Sequence, residues 1–189
     1  MFSYVTLGWY ILNRNGTSWT EQAKLTSLEK FGLDAFGHSI SICSDYAVIG
    51  VPDDDTDNES DSGSVYVFKR EGTNWTEQGR LTVLNSKSGA HFGSSVSISG
   101  DFVIVGSPDD SDHYNGRRSG SAYVFECDGG GWAQRSKLVA LDGQYDDFFG
   151  TSVAIDGDYA IVGAPNDDDS GRDSGSVFVF KRIGSIWTP

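Results

Sequence analysis

The side chains with the most evident chemical potential are acidic and clustered. Asp53, Asp54, Asp55, Asp57, Glu59 and Asp61 fall in one short stretch, and Asn166, Asp167, Asp168, Asp169 and Asp173 in another. Carboxylates are the hard oxygen ligands that calcium prefers, and Asp53, Asp55, Asp57 and Glu59 alternate as the early ligands of an EF-hand loop do. Asn58 replaces the turn glycine that such a loop carries at its sixth position. A third stretch thins to Asp109, Asp110 and Asp112, and Arg117-Arg118 follow, with charges that oppose a bound cation. Two readings stand side by side: a solvated acidic turn, and a calcium site built from Asp53, Asp55, Asp57, Glu59 and Asp61. The sequence demands no cofactor, and calcium is the single candidate.

Catalytic groupings are sparse. His38 follows a Phe-Gly pair, His91 precedes one, and His113 lies in an acidic stretch. No recurrent His/Cys/Asp spacing fits zinc, and no Gly-x-Ser-x-Gly elbow marks a hydrolase. Glycoside hydrolysis needs a positioned pair of carboxylates or, in sialidases, a tyrosine nucleophile. Aspartates are plentiful, but none is singled out. No catalytic residue is assigned, and the expectation is a protein without enzymatic activity. Cys43 and Cys127 are too few for a disulfide framework and are expected as free thiols.

The elements that must position these loops follow from a repeat. Phe36-Gly37, Phe92-Gly93 and Phe149-Gly150 recur 56 and 57 residues apart. Pro52, Pro108 and Pro165 keep the same interval, as do Ser-Gly-Ser triplets at Ser62, Ser119 and Ser174 and tryptophans at Trp19, Trp75, Trp132 and Trp187. Within one unit, Ser95 to Ser99 alternates polar and apolar residues with the period of a strand. Gly100-Asp101 and Gly157-Asp158 suit a type II′ hairpin, from which Ser44-Asp45 departs. Phe102 to Val105, with Tyr46 to Ile49 and Tyr159 to Val162, is apolar without alternation, which implies burial on both faces. Ser64 to Phe68, repeated at Ser121 to Phe125 and Ser176 to Phe180, sets aromatics against valines, again for two covered faces. Thr76 to Leu81 carries more charge and reads as an outer edge, where charge discourages strand-to-strand aggregation.

Four antiparallel strands in meander order, with inner strands covered on both faces, make a β-propeller blade, which needs a blade on each side. A β-sandwich usually leaves one face of each sheet wet, and solenoid repeats are normally shorter. The fold class is therefore all-β, a partial propeller. Residues 1–27 supply the last two strands of one blade, 28–84 and 85–140 a blade each, and 141–189 an incomplete blade. Closed propellers have about 4 to 8 blades, so the arc calls for partners: the remaining blades of a larger chain, or a second copy. In the second case the Trp19-to-Leu25 strand of one copy completes the unfinished blade of another.

These landmarks resemble the FG-GAP repeat, the blade of integrin α-subunit propellers and of many bacterial and algal surface proteins. Phe149-Gly150-Thr151-Ser152-Val153-Ala154, Val162-Gly163-Ala164-Pro165 and Ser174-Gly175-Ser176-Val177-Phe178-Val179-Phe180 carry the resemblance in order. In integrin-type blades the hairpin between the first two strands often holds a calcium loop. Here it has shrunk to two residues, so the chain is similar to a short-hairpin subfamily common in secreted and cell-surface proteins. The resemblance implies an extracellular or cell-surface location and a binding or adhesion module with ligand contacts on rim loops. A structural spacer and a propeller glycosidase domain are the alternatives. The Gly-Thr-Asn-Trp turn at Gly72 to Trp75 is also similar to half of the sialidase Asp-box, without its Ser-x-Asp.

Charge narrows the partners. The formal net charge of -13 repels nucleic acid and anionic membrane, leaving protein or glycan ligands that the sequence does not name. No apolar run is long enough for a membrane-spanning helix, and the apolar first dozen residues lack the basic segment and cleavage site of a signal peptide. Asn15, Asn58 and Asn74 begin glycosylation sequons in expected loops or turns.

Overall fold

A computed structural model of the chain describes residues 9–26, 34–56, 59–111, 116–129 and 131–189. Fourteen strands form four separate antiparallel sheets, with no helix among the described residues. A two-stranded sheet pairs β1 (Trp9–Asn15) with β2 (Ser18–Leu25). The first full sheet is a meander of β3 (Ser39–Cys43), β4 (Tyr46–Val51), β5 (Ser64–Glu71) and β6 (Asn74–Leu81). The second is β7 (Ser95–Ser99), β8 (Phe102–Ser107), β9 (Ser121–Cys127) and β10 (Trp132–Leu138). The third is β11 (Ser152–Asp156), β12 (Tyr159–Ala164), β13 (Ser176–Ile183) and β14 (Ile186–Thr188). These are propeller-like blades in an arc that does not close.

Local chemistry explains the strand ends. Gly100 and Gly157 turn the innermost hairpins at positive φ, and the next residue does not share it, as a type II′ turn requires. Ser44 holds the same position at φ 53°, so the hairpin keeps its shape without glycine. On the outer side, β6 and β10 each carry one extra residue against their partner, Gln78 and Arg135, and β2 carries Gln22. Such a bulge twists an edge strand and re-aims the side chains after it.

Blade stacking uses the repeated residues. Phe92 and Phe149 are fully buried and stand edge-on to Tyr123 and Phe125, and to Phe178 and Phe180. Each phenylalanine also bridges back to the preceding blade, donating its N–H to Ser62 O and Ser119 O. The glycine that follows is met by the preceding blade's innermost strand. Ser39 Oγ donates to Gly93 O at 2.7 Å, and Ser95 Oγ to Gly150 O at 2.8 Å. A Cβ on Gly50 or Gly106 would lie 2.0 Å or 1.9 Å from those same carbonyls, so only glycine fits. Burying a phenylalanine in this way stabilises by about 3 kcal/mol.

The expectation of two covered faces holds for the first two full sheets and fails for the third. Val65, Val67, Ala122 and Val124 are fully buried, each covered by the next blade. Their equivalents Val177 and Val179 are 67% and 54% exposed, because no sheet packs on that face among the described residues. The opposite end shows the complementary set, with Ile40 and Ile42 exposed on β3 and Tyr10 and Leu12 on β1. Both cysteines are free thiols.

Candidate binding surface at the loop rim

The loop after each Gly-x-Pro segment is organised by one aspartate, the second residue after the proline. Asp54, Asp110 and Asp167 each donate their N–H to the end of the preceding strand, at Val51 O, Ser107 O and Ala164 O. Each then accepts at its own carbonyl the N–H of the glycine that opens the third strand, Gly63, Gly120 or Gly175. All three side chains are buried. Buried carboxylates require partners, and these differ from copy to copy.

Asp54 accepts from Ser64 Oγ and pairs with the Arg80 guanidinium at 2.6 Å. Asp110 accepts from the Tyr123 hydroxyl at 2.6 Å and pairs with Lys137 Nζ at 3.0 Å. Burial alone would raise Asp110, but the Tyr123 hydroxyl and the Lys137 charge outweigh it and hold the carboxyl below its usual range. Arg80 and Lys137 occupy one register, each just before the last leucine of its outer strand. Asp167 accepts from Ser176 Oγ at 2.8 Å and from the Asp169 N–H at 3.1 Å, and no described lysine or arginine pairs with it. It stands among carboxylates instead. Ligand oxygens of Asp142, Asp167 and Asp169 lie within 4.8 Å of one another, the one such acidic group among the described residues. Charge from Asp167 and then Asp142 raises Asp169, while Asp147 is raised first by burial and then by the Asp167, Asp168 and Asp142 charges.

The residues that sequence spacing nominates for calcium are engaged separately. Asp53 Oδ1 is 3.8 Å from His91 Nε2, and His91 Nδ1 is 2.8 Å from Asp109 Oδ2, so the ring spans two adjacent loops. Asp55 Oδ1 accepts the Asp61 N–H at 2.9 Å. Glu59 Oε2 accepts both the N–H and the hydroxyl of Ser88. Asp61 sits at positive φ and accepts the His91 N–H at its carbonyl. Asp57 lies outside the described residues, with Asn58, Asp112 and His113. Asp54, which the alternating pattern skips, is the inward residue of the stretch.

Between blades, the 82–91 loop leans on the preceding acidic loop through Gly89 N–H to Ser60 O, while Lys87 reaches forward to Ser111 O. The 139–148 loop repeats the arrangement through Arg118 and Asp146, paired at 2.6 Å. Each loop raises a leucine into solvent at the same repeat position, Leu84 at 88% exposure and Leu141 at 83%. Beside Leu84 is a recess of about 180 Å³ whose lining includes Val83, Lys87, Tyr123, Gln134 and Lys137.

The family model for the FG-GAP repeat matches three stretches, residues 19–68, 75–125 and 132–180, which together span most of the chain. The chain belongs to the FG-GAP repeat family. Comparison with curated proteins returned no match. Each FG-GAP match begins at an outer-strand tryptophan and ends on the third strand of the following sheet, so the sequence repeat runs out of phase with the sheets. Phe92-Gly93 and Phe149-Gly150 of the family pattern, with Gly50 and Gly106, fall at blade junctions, while Gly163 has no neighbouring blade among the described residues. The loops between these positions are where the FG-GAP copies differ. Among the described residues, no helix is long and apolar enough to cross a membrane.

Proposed function

We propose that this FG-GAP segment is a non-enzymatic binding or adhesion module of a secreted or cell-surface protein, meeting a protein or glycan ligand on its loop rim. The observation that carries the reading is the pair Leu84 and Leu141, raised into solvent at one repeat position beside polar loops. Leu84, beside the recess lined by Lys87, Asp110 and Lys137, gives an apolar contact ringed by polar groups, and Leu141 repeats its exposure one blade on. The non-catalytic reading rests on how the acids are used. Asp54 and Asp110 are neutralised by strand cations, and hairpin residues Asp45 and Asp158 pair with Arg70 and Arg182.

A screen of the chain against glycans and extracellular proteins, repeated with the Leu84→Ser/Leu141→Ser double variant, tests this. The expected result is a ligand whose binding is lost in the double variant while the melting temperature is unchanged. Binding insensitive to both leucines would refute the rim assignment, the absence of any ligand would favour a spacer, and hydrolysis of a screened glycan would overturn the non-enzymatic reading.

A further inference from the structure

The loop rim carries two cations that the fold leaves without a counter-ion. Arg80, Lys137 and Arg118 are paired with Asp54, Asp110 and Asp146. Lys87 and Arg117 make no ion pair among the described residues. Lys87 Nζ donates to the neutral carbonyl of Ser111, and Arg117 is exposed.

Both lie on one short path across the junction of the second and third full sheets. Ser111, which receives Lys87 at its carbonyl, accepts the Arg118 N–H at its hydroxyl at 3.2 Å, and so brings Arg117 to the same place. Arg117 O accepts the Asp146 N–H at 3.2 Å, and Gly116 lies against the Tyr145 ring, where an added Cβ would meet Tyr145 Cδ2 at 3.8 Å. Apolar groups close the path at each end. Leu84, on the loop of Lys87, is 88% exposed, and Tyr145 is 57% exposed. Both sheets of this junction are in place, so the exposure of these groups owes nothing to the open ends of the arc.

The preceding junction has the same backbone and different side chains. There the Gly89 N–H donates to Ser60 O, as the Asp146 N–H does to Arg117 O. Ser60 and Ser88 therefore occupy the positions of Arg117 and Tyr145, and Ser88 is held by Glu59. Blade stacking thus requires neither the arginine nor the tyrosine.

We infer that Leu84, Lys87, Arg117 and Tyr145 form a docking site for an extended segment of a partner protein that sets one or two carboxylates between two apolar side chains. The inference rests on the loop-rim reading above and names the chemistry of its partner. Arg117 holds a carboxylate through two parallel hydrogen bonds and Lys87 adds a point charge, while Leu84 and Tyr145 supply the apolar contacts. Tyrosine and arginine are the side chains in which interface energy concentrates. Charge also limits the segment. Asp142 shares the loop of Tyr145 and Asp109 the loop of Ser111, so a longer acidic tract is repelled, and a basic segment is rejected by Lys87 and Arg117.

The test uses the whole chain and the synthetic peptide Ser-Leu-Asp-Glu-Phe-Ser, with Ser-Leu-Lys-Lys-Phe-Ser as its control. Nuclear magnetic resonance titration with the acidic peptide should shift the amides of Leu84, Lys87, Arg117 and Tyr145, and the lysine peptide should bind at least about tenfold more weakly. The Lys87→Glu/Arg117→Glu variant should weaken the acidic peptide by a similar factor with its melting temperature unchanged. The two-peptide comparison remains decisive if that variant folds poorly. No shift, shifts centred on another loop, or equal binding of the two peptides would overturn the inference. The same variant separates it from the rim reading: a screened ligand lost with Leu84→Ser/Leu141→Ser but kept by Lys87→Glu/Arg117→Glu would preserve the rim and overturn the acidic partner, as would a glycan as the sole rim ligand.

Discussion

The second and third full sheets have nearly the same sequence plan and opposite surroundings. In the second, the Val124 face is sealed by a neighbour, Gly106 touches the next blade's carbonyl, and Asp110 is neutralised by Lys137. In the third, Val179 is open, Gly163 meets only its own Ser152 hydroxyl, and Asp167 is surrounded by acids. Equivalent residues thus carry different energies, and the pair forms an internal control for what the repeated residues do. Their worth comes from the adjoining blade more than from the sheet that bears them, as expected where repeats are stabilised through nearest-neighbour interfaces.

The largest test of that contrast is a matched pair of truncations. Ile104→Ala should cost about 2–5 kcal/mol by urea unfolding, because Ile104 is fully buried between blades. Ile161→Ala, at the same position but 44% exposed, should cost less than about 1 kcal/mol. Equal losses would break the comparison. Next come the glycines. Gly106→Ala should destabilise by about 1–3 kcal/mol, since its Cβ must displace backbone, whereas at Gly163 the Ser152 hydroxyl can rotate away.

A smaller effect is expected from Lys137→Met, which strands the buried Asp110 carboxylate. With the lysine 35% exposed, the loss should be about 1–2 kcal/mol by the same unfolding measurement. Because the folded Asp110 carboxyl lies below its usual range, its stabilisation is present above that range and is lost as pH falls through it. The acid side of the stability profile should therefore be shallower in Lys137→Met. Asp147 has the opposite sign. Its folded carboxyl is raised, so ionisation near neutral pH destabilises the fold, and the penalty disappears on acidification below the ordinary carboxylate range. Asp147→Asn should raise the melting temperature slightly at neutral pH and lose that advantage in acid, and an unchanged difference across pH would remove Asp147 from the account.

Much of the sheet plan could be read from spacing alone. Ser95 to Ser99 alternates because its apolar residues, Val96 and Ile98, face the preceding blade's core while its serines face the next blade, Ser97 Oγ accepting from Ile155 N. Within the unbroken apolar run at Phe102 to Val105, Val103 to Val105 are buried as composition implies, whereas in the equivalent run Tyr159 and Ile161 are exposed where no blade covers them. The loop was less legible. Charge density and alternation point to Asp53, Asp55, Asp57, Glu59 and Asp61, yet the residue that organises the turn is Asp54, two positions after the proline. Its signal is present but divided. An aspartate follows Pro52, Pro108 and Pro165 by two, and Lys24-Leu25, Arg80-Leu81 and Lys137-Leu138 close the outer strands. The halves meet only when the strands fold beside the loop. The open valine face of the third sheet follows from the incomplete arc, since a strand's own residues imply a covering blade without saying whether one is present.

The offset between the FG-GAP repeat and the sheets bears on how arrays of this kind can change in length. A segment spanning one period, wherever it is cut, contains one Phe-Gly pair to present backward and one Gly-x-Pro glycine to receive the next. Duplicating or deleting such a segment alters the number of blades while keeping the phenylalanine and glycine contacts of each junction. Recombination can therefore lengthen or shorten the array around a constant backbone contact, while the loop pairs that already differ, Glu59 with Ser88 and Arg118 with Asp146, are free to diversify.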